Sequence, residues 1–294
     1  MKLYAPKYYQ RFRCIADRCE HSCCIGWEID VDGETLERYQ RLPGGYGDVI
    51  RESISMEDVP HFRLGAGERC PHLDERGLCR IILSLGEDYL CDICREHPRF
   101  YNYTSVAEVG LGMSCAEAAR LILSSSDYAE MEQVGEVDAE ADGIEFDGRV
   151  ARGEIYAMLQ DRTRTYSQRL GEIYRRFEMD AGEDSRLLEI LASMEYLNEG
   201  HRARLLRYSS RLRPNGQDEY MERFLAYLIY RHCTEAIDGE DFCERLSFCL
   251  FCERLLASIV CVERAETLES VAEIACMISE EIEYSDENTQ ALMG

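Results

Sequence analysis

Lysine is almost missing from this chain: of its 33 basic residues only Lys2 and Lys7 are lysine, and the rest are arginine. Positive charge is short altogether, with 57 acidic residues leaving a formal net charge of −24. A phosphate backbone is bound through clustered Lys and Arg, so this balance excludes a nucleic-acid partner. It suits a cationic partner, such as a lysine-bearing protein or a sulfonium cofactor, drawn in by the field of the whole molecule. Long apolar runs are also missing. No stretch reaches 18 apolar residues, and "ERLLASIVCVER" is broken by charge within about three helical turns, so no membrane span is expected. The start "MKLYAPKYYQRFRC" has no apolar h-region, which reads as no signal peptide and a cytoplasmic protein.

What the chain has instead is cysteine, 15 in 294 residues. Nine fall in the first 115: Cys14, Cys19, Cys23, Cys24, Cys70, Cys79, Cys91, Cys94 and Cys115. In a reducing compartment thiols stay reduced, so a dense group reads as a metal or redox site rather than a disulfide framework. Soft thiolates select zinc, iron and iron–sulfur clusters. Cys91-x-x-Cys94 is the chelating step that lets two sulfurs reach one metal. Cys70 and Cys79 flank a turn that reverses at Gly77, and Cys19, Cys23 and Cys24 offer three thiols in one loop. Two arrangements stay open, one four-thiolate site with spare cysteines or two sites sharing nine ligands. The C-x₃-C-x₂-C loop of radical S-adenosylmethionine chemistry is absent, because Gly26 stands where the third cysteine would be. Cys233, Cys243, Cys249, Cys252, Cys261 and Cys276 lie among Leu, Phe and Ile on helical patterns and read as core.

The patterning predicts a mainly α fold: a cysteine-rich metal-binding N-terminal lobe (1–127) with minor β elements, an acidic connector (128–150), and a helical C-terminal half (151–294). In the first part "GWEIDVD" and "SVAEVGLGMSC" read as strands. "DGETLERYQRL" reads as a helix capped by Asp32 or Thr35, "GEDYLCDICREHPRF" as a helix stopping before Pro98, and "CAEAARLILSSS" as a helix from Ser114. "LPGGYGD" is a break, and a short strand is expected over 144–150. Apolar residues at three- and four-residue intervals predict helices over 153–179, 185–212, 218–237 and 241–284, with a turn at 214–216.

The segments "YYQRFRCIADRCEHSCCIGWEIDVD", "CPHLDERGLCRI", "LGEDYLCDICREHPRF" and "LGMSCAEAARLIL" together resemble the flagellin lysine-N-methylase family over residues 4–125, with a weaker likeness in "EYMERFLAYLIYRHC". Cys19, Cys23, Cys24, Cys70, Cys79 and Cys94 match this family and a broader group of cysteine-cluster, zinc- or iron-chelating proteins. Cys91 and Cys115 match the methylase type. His97 departs from it, since the family has tyrosine before the proline. The resemblance implies methyl transfer from S-adenosyl-L-methionine to lysine side chains of flagellin by a protein holding an iron–sulfur cluster, of the 4Fe-4S type, with zinc as the alternative metal. A second class of function is a zinc- or iron-binding structural or redox-sensing protein without methyltransferase activity.

No catalytic or methyl-donor-binding residue can be named from the sequence. "EVGLGMSC" holds a lone G-x-G without the acidic residue some twenty positions on that a dinucleotide-type turn would have. Arg99 is a candidate to hold a cofactor carboxylate, with a structural ion pair as the plainer reading. Phe100, Tyr101 and Tyr103 could orient an amine, or simply pack the cysteine-rich lobe. The lysine scarcity reads as GC-rich codon usage or, in a lysine methylase, as self-protection, because arginine keeps the charge while removing the nucleophile.

Overall fold

The computed structural model describes residues 1–19, 22–139, 146–180, 184–209, 211–214 and 216–293. The chain divides into two compact units, Arg13–Pro98 and Met1–Phe12 with Arg99–Gly294. The first strand, β1 (Lys2–Pro6), therefore belongs to the second unit, and Arg13–Pro98 is an insertion in chain order. This division follows other lines than the expected 1–127, 128–150 and 151–294. The reason is strand pairing at long range, which no local pattern announces.

Within the insertion, α1 (Gly33–Gln40) starts where the Asp32 carboxylate accepts the Thr35 N–H at 2.9 Å, as the cap signal predicts. The break at "LPGGYGD" ends on Gly45 (φ +80°), which opens α2 (Tyr46–Ser53). A two-residue pair follows, β2 (Ile54–Ser55) against β3 (His61–Phe62), then α3 (Arg80–Leu85) and α4 (Asp92–Glu96). Ile29, Val31, Tyr39, Ile50, Ile54, Phe62 and Ile81 form the core, joined by Cys70 and Cys91. "GWEIDVD" makes no strand. Its alternation does bury Ile29 and Val31, but a single bridge from Asp30 to His61 replaces a ladder. The helix expected over 86–97 is confined to α4. Residues 87–89 make a separate 3₁₀ turn, and Leu90 and Cys91 are extended.

The second unit carries a four-stranded mixed sheet in the order β4-β5-β1-β6, with β4 (Arg99–Tyr103), β5 (Ala107–Leu111) and β6 (Met131–Glu136). β5 runs parallel to β1, and the outer pairs are antiparallel. β6 was hidden in the acidic "connector": its side chains are half-exposed on an edge, so hydropathy carries no strand signal there. After α5 (Ala116–Ser124) the chain is helical: α6 (Gly148–Leu159), α7 (Tyr166–Arg176), α8 (Asp184–Ser193), α9 (Glu199–Leu205), α10 (Asp218–His232), α11 (Gly239–Glu263), α12 (Leu268–Ile278) and α13 (Asp286–Met293), with a π-helical turn at Ser279–Glu283. Three of the four long patterns read from sequence thus break into shorter helices, while that over 218–237 is the single helix α10, ending at His232. Thr165 caps α7, Asn198 caps α9, and Arg264 (φ +54°) ends α11 before Thr267 caps α12. The strand expected over 144–150 falls partly outside the described residues, and its described end opens α6; the turn at 214–216 also lies partly outside them.

α11 is apolar around most of its circumference in its second half, so it is a central helix, buried from Phe248 to Val260 apart from half-buried Arg254. Five carboxylates in this unit are buried and each is paired; Glu281 accepts the Leu197 N–H at 2.8 Å and lies 2.7 Å from His201 Nδ1. Glu108 takes both terminal nitrogens of Arg152, and Glu222 accepts from Arg162, Arg169 and Tyr128. Glu253 takes Arg213 and Tyr166, and Glu283 takes Tyr227 and His232. An unpaired buried carboxylate would be strongly destabilising, so these networks fix how the helices seat.

A thiol core as the candidate functional site

Two local pairings gather the cysteines of the insertion. The Cys70 N–H donates to the Cys24 carbonyl at 2.8 Å and the Gly26 N–H to Glu68 at 3.0 Å, so the 24–26 segment lies along 68–70. The next turn reverses at Gly77 (φ +78°), where the Asp74 carboxylate accepts the N–H groups of Arg76 and Leu78, each at 2.9 Å. That reversal pairs Leu73 with Cys79 and the Arg80 N–H with the His72 carbonyl at 2.8 Å. Cys79 stands immediately before α3 and Cys91 immediately before α4, with Cys94 one turn into α4. Cys24, Cys70, Cys79, Cys91 and Cys94 consequently share one small apolar core.

Their electrostatics tie them together. Burial, with the nearby Cys24, Cys79 and Cys91 sulfurs, pushes the Cys70 thiol up to about 12. Burial also raises Cys79. Cys94 is raised by its hydrogen bond to Cys91 and by burial, while the same hydrogen bond lowers Cys91. A hydrogen bond from Cys23 holds Cys24 down to about 7, assisted by Ser22 and Arg69. Each thiolate formed here resists the next. A soft cation reverses that logic, because its charge compensates several thiolates at once.

Around the thiols lies a polar frame that the sequence reading missed. The Tyr39 hydroxyl donates to the Tyr89 carbonyl at 2.6 Å and lies 3.7 Å from the Cys91 sulfur. Asp32 accepts the Asp92 N–H at 2.9 Å, so the residue capping α1 also anchors α4. His72 is fully buried between Ser53 Oγ (2.9 Å from Nε2) and Tyr46 Oη (3.0 Å from Nδ1). Burial, with Arg80 nearby, lowers its pKa to about 4, so it is neutral near pH 7. Ser53 gives its proton to the Ile50 carbonyl at 2.6 Å, so Nε2 carries the imidazole proton and Nδ1 accepts from Tyr46. The available signal was "CPHLD", a histidine two residues after a cysteine inside a turn.

The other predicted cysteines fall elsewhere. Cys14 and Cys23 are exposed and Cys19 is half-buried, all within the insertion. Cys115 belongs to the sheet-bearing unit, where it precedes α5 and packs against that unit's core. No disulfide joins any of the fifteen cysteines. As the side chains stand, no group of three or more His, Cys, Asp or Glu among the described residues is arranged to hold a metal ion. The donor chemistry of the five core thiols nevertheless fits a soft metal, and loading would require their rotation into a common shell. Cys233, Cys249, Cys252 and Cys276 are buried in the helical core, whereas Cys243 and Cys261 are only half-buried.

Arg99 and its aromatic neighbours also differ from expectation. They form β4 in the sheet-bearing unit, to which Arg99–Gly294 belongs. Arg99 donates to the Tyr9 hydroxyl at 2.9 Å, Phe100 packs on Tyr230 at 5.6 Å, and Tyr101 stacks on Tyr103 at 6.3 Å. The lone G-x-G has a packing cause. A Cβ on Gly110 would stand 2.3 Å from the Phe100 ring and 2.7 Å from Tyr230, so glycine makes room for aromatics rather than for a phosphate. No helix among the described residues is long and apolar enough to cross a membrane.

Comparison with known proteins adds the decisive observation. The chain is 28% identical over 134 residues to the lysine-N-methylases of Salmonella typhimurium and Salmonella choleraesuis, and to the flagellar biosynthetic protein FliU of Salmonella muenchen. It is a distant homologue of the lysine-N-methylase and FliU proteins. The match takes in 42% of this chain, 32% of each lysine-N-methylase and 77% of FliU, so the chain spans about a third of the two methylases it matches. No family model matches the chain, and no solved structure does. Homology to lysine-N-methylase and FliU agrees with the family resemblance read from the cysteine-bearing segments.

Proposed function

We propose that this protein is a flagellin lysine N-methyltransferase that uses S-adenosyl-L-methionine, with Cys24, Cys70, Cys79, Cys91 and Cys94 holding an iron–sulfur cluster or another soft metal. The observation that carries this reading is the homology to lysine-N-methylase and to a flagellar biosynthetic protein. In the transfer, a neutral lysine amine supplies the electron pair for the new N–C bond. The methyl–sulfur bond breaks, its electrons return to sulfur, and the amine releases a proton to solvent. The chain's part is to desolvate the amine so that it is neutral, to align it with the methyl group, and to exclude water.

A cluster or metal on the thiols would supply a cross-link among the 24–26 segment, α3 and α4, and one-electron chemistry if it contains iron. Tyr39 and Asp32 hold α4 and its thiols against α1, and neutral His72 braces the turn that carries Cys70. The burial of Cys70 and Cys91 also favours a second reading, in which the same thiols hold a purely structural zinc.

The test is anaerobic purification followed by metal and sulfide analysis and an absorption spectrum, then incubation with donor and flagellin read by mass spectrometry. Iron, sulfide and methylated flagellin lysines are expected. Unmodified flagellin in the presence of a full metal complement would refute the transferase reading. A colourless protein with bound zinc would refute the iron–sulfur one.

A further inference from the structure

The sheet-bearing unit contains a cavity of about 470 Å³ between the start of α6, the end of α7 and the start of α11. Its volume falls in the range of small-ligand sites. Three phenylalanines line it: Phe242 meets Phe146 at 5.9 Å and Phe177 at 5.6 Å between ring centroids. Three carboxylates, Asp147, Glu154 and Glu178, stand around those rings against one guanidinium, that of Arg176. The groups differ in how far they are committed. Asp147 is taken up by Arg149, which holds its carboxyl below the ordinary range. Glu154 pairs with Arg176 at 2.8 Å. Among the described residues Glu178, which is exposed, has no hydrogen-bond or ion-pair partner.

Arg176 reveals what this cavity accepts. Its guanidinium lies 5.0 Å from the centroid of the Phe177 ring while paired to Glu154. The cavity thus already seats a cation between an aromatic ring and a carboxylate, using a side chain that is itself half-exposed and can swing out. The remaining apolar surface and the uncommitted Glu178 match one chemistry, an aliphatic stem ending in an ammonium.

We infer that this cavity binds the alkylammonium side chain of a lysine, or of an N-methylated lysine, presented by a partner protein. The stem lies on Phe177 and Phe242, and the ammonium reaches Glu178 and, once Arg176 has moved aside, Glu154. The inference is independent of the thiol core and of methyl transfer. It would hold for a protein that only reads lysines, and it can fail while the transferase reading stands.

The test uses the full chain and three small probes, the N-acetyl amides of lysine, trimethyl-lysine and norleucine, with binding followed by NMR or calorimetry. Saturable binding of the two cations is expected, with the neutral norleucine probe at least tenfold weaker. If trimethyl-lysine binds severalfold more tightly than lysine, the aromatic face dominates and the cavity favours the methylated form. The reverse order assigns it to the unmodified one. Arg176→Ala should tighten binding about threefold or more by vacating the ring. Glu178→Gln, at an exposed position that does not threaten folding, should weaken it at least fivefold. Phe242→Ala should abolish it, provided the helical circular dichroism is unchanged. Equal binding of norleucine and lysine, or Glu178→Gln and Arg176→Ala variants that bind as the parent does, would overturn the inference.

Discussion

Removing the guanidinium at position 152 exposes the energetics of the sheet-bearing unit most directly. Arg152 is 8% exposed and Glu108 4%, and they share two hydrogen bonds of 2.7 Å. Arg152 also donates to the Thr234 hydroxyl at 2.6 Å and lies 4.9 Å from the Tyr230 ring centroid. Arg152→Met keeps most of the volume but strands the carboxylate in a dry site. Breaking one side of such a pair costs about 3–5 kcal/mol. With a urea m-value on the order of 3 kcal/mol/M for a unit of this size, the unfolding midpoint should fall by about 1 to 1.7 M. The double variant Glu108→Gln/Arg152→Met removes the stranded charge, so its cost should be less than the sum of the single costs by about 1–3 kcal/mol. Far-UV circular dichroism follows the helices of this unit, while the fluorescence of Trp27, the single tryptophan, follows the insertion. The loss should appear in the first signal and leave the second nearly unmoved. A midpoint shift in Arg152→Met worth less than about 1 kcal/mol would refute the assignment of Glu108 as a buried charge in need of its partner.

Cys94→Ser should remove most of the bound metal, whereas Cys252→Ala, deep in the helical core, should leave metal content intact; the opposite result by elemental analysis would reverse the division of the cysteines. Burial alone would raise the Glu222 carboxyl, but hydrogen bonds from Arg162, Arg169 and Tyr128 outweigh it and hold it below the ordinary value. Its folded pKa is depressed, so its contribution is complete above the ordinary carboxyl range and is lost as pH falls through the folded value. Glu222→Gln should therefore be destabilised at neutral pH, with that penalty shrinking in urea titrations carried down to about pH 3. Gly110→Ala must displace the Phe100 and Tyr230 rings and should cost about 1–3 kcal/mol, read as a lowered unfolding midpoint. Arg175→Lys on exposed α7 tests self-protection: if the new lysine stays unmodified while flagellin is methylated normally, codon usage alone explains the missing lysines.

Residues that bury themselves by local periodicity were legible. The Asp32 cap, α5 and the apolar α11 follow from spacing, and the reversal at Gly77 from the residues of its turn. The crowding of thiols was legible as a count, nine of the fifteen cysteines falling in the first 115 residues. Which thiols meet was not legible, because Cys24 and Cys70 are joined by backbone pairing across more than forty residues. The same limit hid β6, whose partner among the described residues, β1, lies at the far end of the sequence. Ile29 and Val31 show the converse case: a true alternation that buries side chains but meets β3 only through the Asp30–His61 bridge. Nothing in the spacing foretold the cavity around Phe242, whose three rings come from three different helix ends.

The residues Arg13–Pro98 lie in chain order between β1 and β4. β1 sits between β5 and β6 in that sheet, and the chain must travel through the whole insertion before it reaches β4. When the insertion is folded, its two ends are held at a fixed separation. Their neighbours across the junctions, Tyr9 and Arg99, are joined by a 2.9 Å hydrogen bond. When the insertion is unfolded, the same connection is a flexible loop, and closing a loop of that length costs on the order of 4 kcal/mol of chain entropy. Unfolding the insertion would then loosen β1 from the sheet through the polymer statistics of the intervening chain.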